Sequence, residues 1–459
     1  MAAGCRVIVL SRPPRQGQGK RRLAASIGDG RATRLARAFL LDTWSGVSAW
    51  VSGQADVDLV LALSAPPDEF PLLLPTPTIV RQGEGDFGRR MATLAAGALS
   101  QRECVLLLGT DRACLPDSHL AAAVAALSGA DVVLGPDHAG GLWCIGVRRG
   151  HHSLWGNTWL DDLDWRRGDT AAQVQERAWR LGLTVARAPE WFDVNVPEDL
   201  PRLRAALARD PERAPETLAT LAREEAAAGV EPLSIVVSAF NESVALDACL
   251  AALQQQEGPL EIIVADGGST DRSAERAAGQ PGVTVVVAGA GRGRQFAAGA
   301  RMASGDVFLF LPADVRLPTG GTRLIRQTLA EPGAEAGAFV THTVADPRFK
   351  NRAGPLLRLA DLGSGLTRHP DGEQALFVTR AAYEAVGGFK PLPILEDYDL
   401  SLRLAARARL RRIREPVQVS GRRLQTRPLR GLLMHTILPP LYRLGVDPGL
   451  LARLDRDRP

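Results

Sequence analysis

The sequence has 459 residues, enough for two or three domains at roughly 150 residues each. Its 45% hydrophobic and 23% charged residues match a soluble globular chain and exclude a disordered, collagenous or coiled-coil one. Formal charge is +4, from 55 Lys and Arg against 51 Asp and Glu, and the basic residues are scattered rather than blocked, which argues against a nucleic-acid partner.

In chain order, the first apolar stretch, RVIVL from Arg6, is too short and too poorly flanked for a signal peptide and reads as a strand. It is followed by the helical ATRLARAFLLDTW, the strand VDLVLAL, the helix GRRMATLAAGAL and the strand CVLLLG. Strands alternating with helices predict a parallel sheet with crossover helices. The same cycle begins again at Leu233: LSIVVSAF, helix SVALDACLAALQQQ, strand EIIVAD, helix STDRSAERAAG, strand VTVVVA, helix QFAAGARMAS and strand DVFLFL. Between the cycles, ALARDPERAPETLATLAREEAAAGVEP has few large apolar residues and reads as a helical or semi-flexible linker. The expected division is 1–205, linker 206–231 and 232–459. In both halves a strand runs into an acidic residue, LLLGTD ending at Asp111 and FLFLPAD ending at Asp314, as in a divergent tandem pair.

Five cysteines (Cys5, Cys104, Cys114, Cys144, Cys249) show neither pairing nor metal-ligand spacing, as expected of reduced thiols in a cytoplasmic protein. No apolar run approaches the roughly 20 residues that cross a bilayer.

Chemistry is most legible in the second half. IIVADGGSTD sets an apolar strand against Asp266, with Gly267 and Gly268 allowing close backbone approach and Ser269 or Thr270 able to cap the next helix. Crevices at the carboxyl ends of parallel strands bind nucleotides. GAGRGRQFAAGARMASGDVFLFLPAD then places Arg292 and Arg294 on a Gly-rich turn and Asp314 after a strand. Arginines can grip a diphosphate, and a carboxylate at a strand end can hold a divalent cation on the same phosphates.

Pro232 to Asp314 resembles the nucleotide-binding half of family 2 glycosyltransferases of the GT-A fold. GRGRQFAAGA, DGEQALFVTR, GGFKPLPILEDYDLSLRL and VSGRRLQTRPLRGLLMHTILPPLYRLGV are similar, within that group, to the glycosyltransferases named for arsenosugar biosynthesis. The resemblance covers essentially all of 232–455. It implies that Asp266 hydrogen-bonds the nucleobase, that Asp314 is the surviving carboxylate of a D-x-D metal motif, and that Asp397 is the catalytic base of an inverting transfer, supported by Glu396. For both acids the helix dipole of YDLSLRLAARA offers an alternative reason to stand where they do. The chain departs from the pattern at Pro312, where D-x-D has an Asp and the related subfamily a His, so one carboxylate is left for the metal. Glu373 stands where the resembling proteins carry Asp, and Glu373 and Gln374 are assigned to the acceptor side.

The first half, from Arg6 to about Leu203, resembles a second GT-A-like family, the radical-SAM/selenium-domain associated transferases related to sugar-phosphate nucleotidyltransferases. SRPPRQGQGKRRLA, GEGDFGRRM, VLLLGTDRACLP, VVLGPDHAGGLWCIGV and FDVNVPEDL carry the likeness. Lys20 and Arg22 end a Gly-rich basic loop suited to phosphates, and Asp111 and Asp193 are its candidate acids. Ala139 and Asn195 replace two further acids of that family's pattern, which predicts a weakened first domain; Asp137 is the possible substitute.

Among smaller signals, His151 and His152 read as a solvated turn, His369 lies just before the acceptor motif, and the tail from Arg422 mixes arginines with an apolar face interrupted by Pro439 and Pro440. The expected architecture is α/β, two tandem GT-A-like, Rossmann-like domains, each a mostly parallel sheet flanked by helices. The expected activity is an inverting, hexosyltransferase-like transfer in a bacterial cell, from a nucleotide-diphosphate sugar to a hydroxyl acceptor, with Mg2+ or Mn2+. A small-molecule acceptor is favoured, followed by a lipid or carotenoid acceptor at the inner face of the cell membrane, and then by a nucleotide-sugar binding protein that has lost turnover.

Overall fold

The computed structural model describes residues 4–151, 159–165, 168–227, 229–345, 361, 367, 369–422, 425 and 437–454. It divides into two compact units, Met1–Glu225 and Ala226–Pro459.

The first unit has a seven-stranded sheet: β1 (Cys5–Ser11), β2 (Val57–Leu63), β3 (Ile79–Arg81), β4 (Cys104–Gly109), β5 (Val132–Pro136), β6 (Leu142–Arg148) and β7 (Val185–Arg187), in the order β3-β2-β1-β4-β6-β5-β7. All neighbours are parallel except β6, which runs against β4 and β5. Alternate residues of β1 feed opposite cores. Val7 and Val9 meet Leu40, Trp44 and Val47 of the helix Asp29–Ser52, while Ile8 and Leu10 meet Met91, Ala95 and Leu99 of the helix Phe87–Leu99. Burial on both faces explains the continuous apolar strands that made this sheet readable in the sequence.

The expected linker is largely structured. Helices Leu200–Arg209 and Pro215–Ala226 put Leu203, Leu207 and Leu221 into a core with Leu23, Leu35 and Phe39, joined by Ala214 from the turn between them. Asp42, buried on the long helix, caps the second of them by accepting from the Glu216 and Thr217 backbone N–H groups at 3.1 and 2.7 Å. The region expected as 206–231 is therefore part of the first unit through Glu225, and the connection to the next strand, starting at Leu233, is short.

The second unit has eight strands: β8 (Leu233–Ala239), β9 (Leu260–Asp266), β10 (Val283–Val287), β11 (Val307–Pro312), β12 (Val315–Arg316), β13 (Ala336–Val344), β14 (Phe377–Thr379) and β15 (Arg411–Ser420). Their order is β10-β9-β8-β11-β14-β13-β15-β12. Apart from the added β12, order and direction repeat those of the first sheet, with β14 as the reversed strand. The register repeats as well. Gly109 pairs with Leu10 as Pro312 pairs with Ser238, so Asp111 and Asp314, each two residues farther on, hold one position in two sheets. By the same count Leu63 stands where Asp266 stands.

Candidate functional site

Strands β8, β9, β10 and β11 are parallel and end on one edge of the second sheet. β14 runs the other way, so the turn Asp371–Gln374 before it lies on that edge too. Asp266 ends β9, and Asp314 follows β11 with only β8 between the two strands, a sheet width of roughly 10 Å.

The Asp266 side chain is buried and works within its own turn: one oxygen accepts the N–H groups of Gly268 and Ser269, both at 2.8 Å, and the other accepts the Ser269 hydroxyl. Gly268 has φ +88°, a conformation that favours glycine. Asn241, after β8, accepts from the Thr270 N–H at 2.8 Å, and its own N–H donates to Ser269 Oγ at 2.9 Å. The loops after β8 and β9 thus form one hydrogen-bonded platform.

Arg292 and the acids of LEDYD meet at this edge. Arg292 Nε donates to Glu396 Oε1 at 2.6 Å and Nη2 to Asp397 Oδ2 at 2.7 Å, the forked geometry of a guanidinium between carboxylates. Gly293 lets the helix Arg292–Met302 start this close: a Cβ there would lie 2.9 Å from Glu396 Cβ and from the Lys390 carbonyl. Asp397 Oδ2 also accepts the Gly372 N–H at 2.7 Å, and Oδ1 accepts the Tyr398 N–H at 2.7 Å. Glu396 is 1% and Asp397 4% exposed, and the Arg292 guanidinium offsets part of the cost of burying both. Burial raises the Asp397 carboxyl above the usual range; Arg292 opposes the rise, and Glu396 and Asp371 add to it. For Arg292, burial disfavours the charge, but Asp397 and Glu396 outweigh it and hold the proton more tightly than in water.

The structure separates the two arginines expected on the diphosphate. Arg292 is committed to Glu396 and Asp397, whereas Arg294 is exposed, with no hydrogen bond or ion pair among the described residues. The Asp314 carboxylate is equally unengaged, only its backbone carbonyl accepting from the Ser420 N–H. Gln374, expected at the acceptor side, is 2% exposed and fixed at both ends of its amide, donating to the Phe339 carbonyl and accepting the Asp371 N–H. Glu373 is half-buried and adds to the field that favours charge on Arg292. His369 meets the Tyr398 ring edge-on at 5.8 Å.

Of the tail, Leu438 and Leu451 pack with Ile394, and Tyr442 donates to Asp399 at 2.7 Å, directly behind the acidic loop. Residues 426–436 of the tail and His152 lie outside the described residues. No helix among the described residues is long and apolar enough to cross a membrane.

In the first unit the expected residues meet at the corresponding edge. Lys20 Nζ lies 2.9 Å from Asp111 Oδ1 and also donates to the Val194 carbonyl; Arg112, which sequence reasoning missed, donates to Asp193 Oδ2 at 3.0 Å. Although its surroundings resist the charge, Lys20 and Arg112 hold the Asp111 carboxyl below its usual range. Burial pushes Asp193 up to about 6 against the pull of Arg112, and Asp137 is close enough to add to the rise. Asp137 itself accepts the Ala139 and Gly141 N–H groups. Arg22 is exposed and outside this ion-paired set. No group of three or more His, Cys, Asp or Glu arranged to hold a metal occurs among the described residues of either unit.

Comparison with known proteins agrees with this division. Residues 49–165 match the family described as an uncharacterized protein conserved in bacteria (DUF2064), and residues 234–379 match glycosyl transferase family 2. An undecaprenyl-phosphate 4-deoxy-4-formamido-L-arabinose transferase of Serratia proteamaculans is 33% identical over 145 residues, covering 28% of this chain and 44% of that one. The namesake from Pectobacterium carotovorum is 35% identical over 100 residues, 19% of this chain and 31% of its own. The chain spans less than half the length of these curated relatives. Among solved structures, a chain from Desulfovibrio desulfuricans described as a nucleotide-diphospho-sugar transferase matches 48% of this chain and 95% of itself, at 25% identity and TM-score 0.43. A Pyrobaculum calidifontis mannosyltransferase in complex with GDP-Man and Mn2+ matches 42% and 56%, at 22% identity and TM-score 0.33. The chain thus carries a region that matches the DUF2064 model, followed by one that matches the glycosyl transferase family 2 model.

Proposed function

We propose that the second unit is an inverting glycosyltransferase using a nucleotide-diphosphate sugar. The observation that carries this reading is a buried acid, Asp397, held by Arg292 and the Gly372 N–H on the sheet edge that also carries Asp266 and Asp314. A carboxylate has about four acceptor positions, and Asp397 uses three, two on Oδ2 and one on Oδ1. The position left on Oδ1 takes the acceptor proton as its oxygen attacks the anomeric carbon and the bond from that carbon to the diphosphate breaks. Raised by burial, the carboxyl binds that proton better than a solvated aspartate, while Arg292, itself anchored by Glu396, holds it in place.

Asp266, Gly267 and Gly268 form the platform for the nucleobase, Arg294 reaches the diphosphate, and Glu373 and His369 face the acceptor. Asp314, a single unengaged carboxylate, fits a divalent cation that is also held by phosphate oxygens; Mg2+ or Mn2+ there would stabilise charge on the departing diphosphate. In the first unit the chain's own cations already neutralise Asp111 and Asp193, which favours a structural or regulatory role over a second transfer.

A small hydroxyl acceptor, as in arsenosugar-type biosynthesis, is the first reading. A lipid-linked acceptor at the inner face of the cell membrane is the second, favoured by the polyprenyl-phosphate transferases among the relatives and by the exposed Leu444 and Leu450 of the tail. Release of nucleoside diphosphate from a panel of UDP-, GDP- and CDP-sugars, with sugar alcohols or polyprenyl phosphate as acceptors and Mn2+ present or chelated, tests both. Turnover only with polyprenyl phosphate would select the second reading. Nucleotide binding without turnover on any pair would leave a binding protein.

A further inference from the structure

Two glutamines from unrelated places in the chain do the same thing. In the first unit Gln82, directly after β3, donates from Nε2 to the carbonyls of Ser11 and Ala62 at 3.0 and 2.9 Å. In the second, Gln295, inside the helix Arg292–Met302, donates from Nε2 to the carbonyls of Ala239 and Ala265 at 2.6 and 3.1 Å. Ser11 pairs with Leu63 as Ala239 pairs with Asp266, so the four carbonyls are the same two positions in two sheets, the last residue of the central strand and the next-to-last of its neighbour. Both amides are buried, at 3% and 4% exposure. Amides of different origin in the chain thus bridge the same two strand ends in both sheets.

In the second unit the bridge lies directly beneath the hydrogen-bonded platform. Gly267 leaves room for it: a Cβ there would stand 3.0 Å from Gln295 Nε2 and 3.2 Å from the Phe240 ring. We infer that Gln295 is a positioning residue for the donor nucleoside: its amide fixes the separation of the β8 and β9 ends, and so the geometry of the Asn241 and Asp266 turns on which the nucleoside rests. The inference rests on the nucleotide-sugar reading of this edge. Loosening such a support displaces a ligand that needs close registration, while Asp397 keeps its own contacts to Arg292 and to the Gly372 and Tyr398 N–H groups.

The test compares the full chain with Gln295→Leu and Gln295→Glu, using UDP, GDP and CDP as binding probes and their sugars as substrates. Gln295→Leu is expected to raise the Kd and KM for the nucleotide that the wild type takes by about tenfold while kcat holds. Gln295→Glu places a carboxyl against two carbonyls. Protonated, it can donate once, so its affinity should recover as pH falls, a response that lost folding would not produce. Wild-type binding with unchanged Kd in Gln295→Leu, or a loss confined to kcat or to the folded amount, would overturn the inference alone. A wild type that bound none of the three nucleotides would overturn the reading of the edge and the inference with it.

Discussion

Asp314 holds in the second sheet the position that Asp111 holds in the first, and the two differ in company: Lys20 Nζ lies 2.9 Å from Asp111, while the Asp314 carboxylate has no hydrogen bond or ion pair among the described residues. An internal ammonium already supplies to Asp111 the charge that a divalent cation would bring. One carboxylate alone holds such a cation weakly, since these ions take six or more oxygen ligands. Mn2+ is therefore expected to bind appreciably only with a nucleoside diphosphate present, and at one ion per chain. Asp314→Asn abolishes that binding and Asp111→Asn leaves it. Electron paramagnetic resonance of free Mn2+, titrated with and without UDP or GDP, reads this directly.

Arg292 donates to both Glu396 and Asp397, bridging the two buried acids. Arg292→Met would remove the guanidinium that pairs with both buried acids, at a cost of about 3–5 kcal/mol for a broken buried pair. A lower urea midpoint by circular dichroism is the expected result. Loss of the guanidinium also raises the Asp397 carboxyl further. Because the base must be ionised to act, the acid limb of any remaining activity should move to higher pH.

Much of this architecture could be read from the sequence. RVIVL, VDLVLAL, CVLLLG, LSIVVSAF, EIIVAD, VTVVVA and DVFLFL all became strands of parallel neighbours, because strands covered on both faces need long apolar runs. The two acids after LLLGT and FLFLPA proved equivalent in register. The reversed strands β6 and β14 were not legible, since nothing local to LWCIGVR or FVT encodes direction. Nor were the long-range partners: Arg292 finds its acids 104 and 105 residues away, and Asp42 caps a helix more than 170 residues on. That capping, with the apolar residues Leu203, Leu207 and Leu221, is why a segment of linker-like composition is packed. Arg292 read as a phosphate ligand because its loop shows a cation beside glycines; the buried acids that claim it lie on another element.

Asp42 makes stability of the first unit depend on pH. Burial pushes its carboxyl up to about 6, against the helix N–H groups of Glu216 and Thr217 that favour its charge. Between about pH 4 and 6 the folded state thus binds more protons than the unfolded one, and this residue's contribution to stability falls as pH rises through that window, by an amount on the order of 3 kcal/mol. All eight tryptophans lie between Trp44 and Trp191, so selectively excited tryptophan fluorescence follows the first unit alone. The gap between wild type and Asp42→Asn in urea midpoint should shift in favour of the variant from pH 4 to pH 7.

The proton acceptor is the centre of the account, and Asp397→Asn isolates it, because the amide keeps the size of the side chain and an oxygen for Arg292 or the Gly372 N–H. Donor affinity by calorimetry and sugar transfer by product release should be measured on the same preparation. The account predicts a Kd within about twofold of wild type and a rate lower by about 10²–10⁴-fold, the usual contribution of a general base. Full transfer by Asp397→Asn, with donor bound normally, would contradict it.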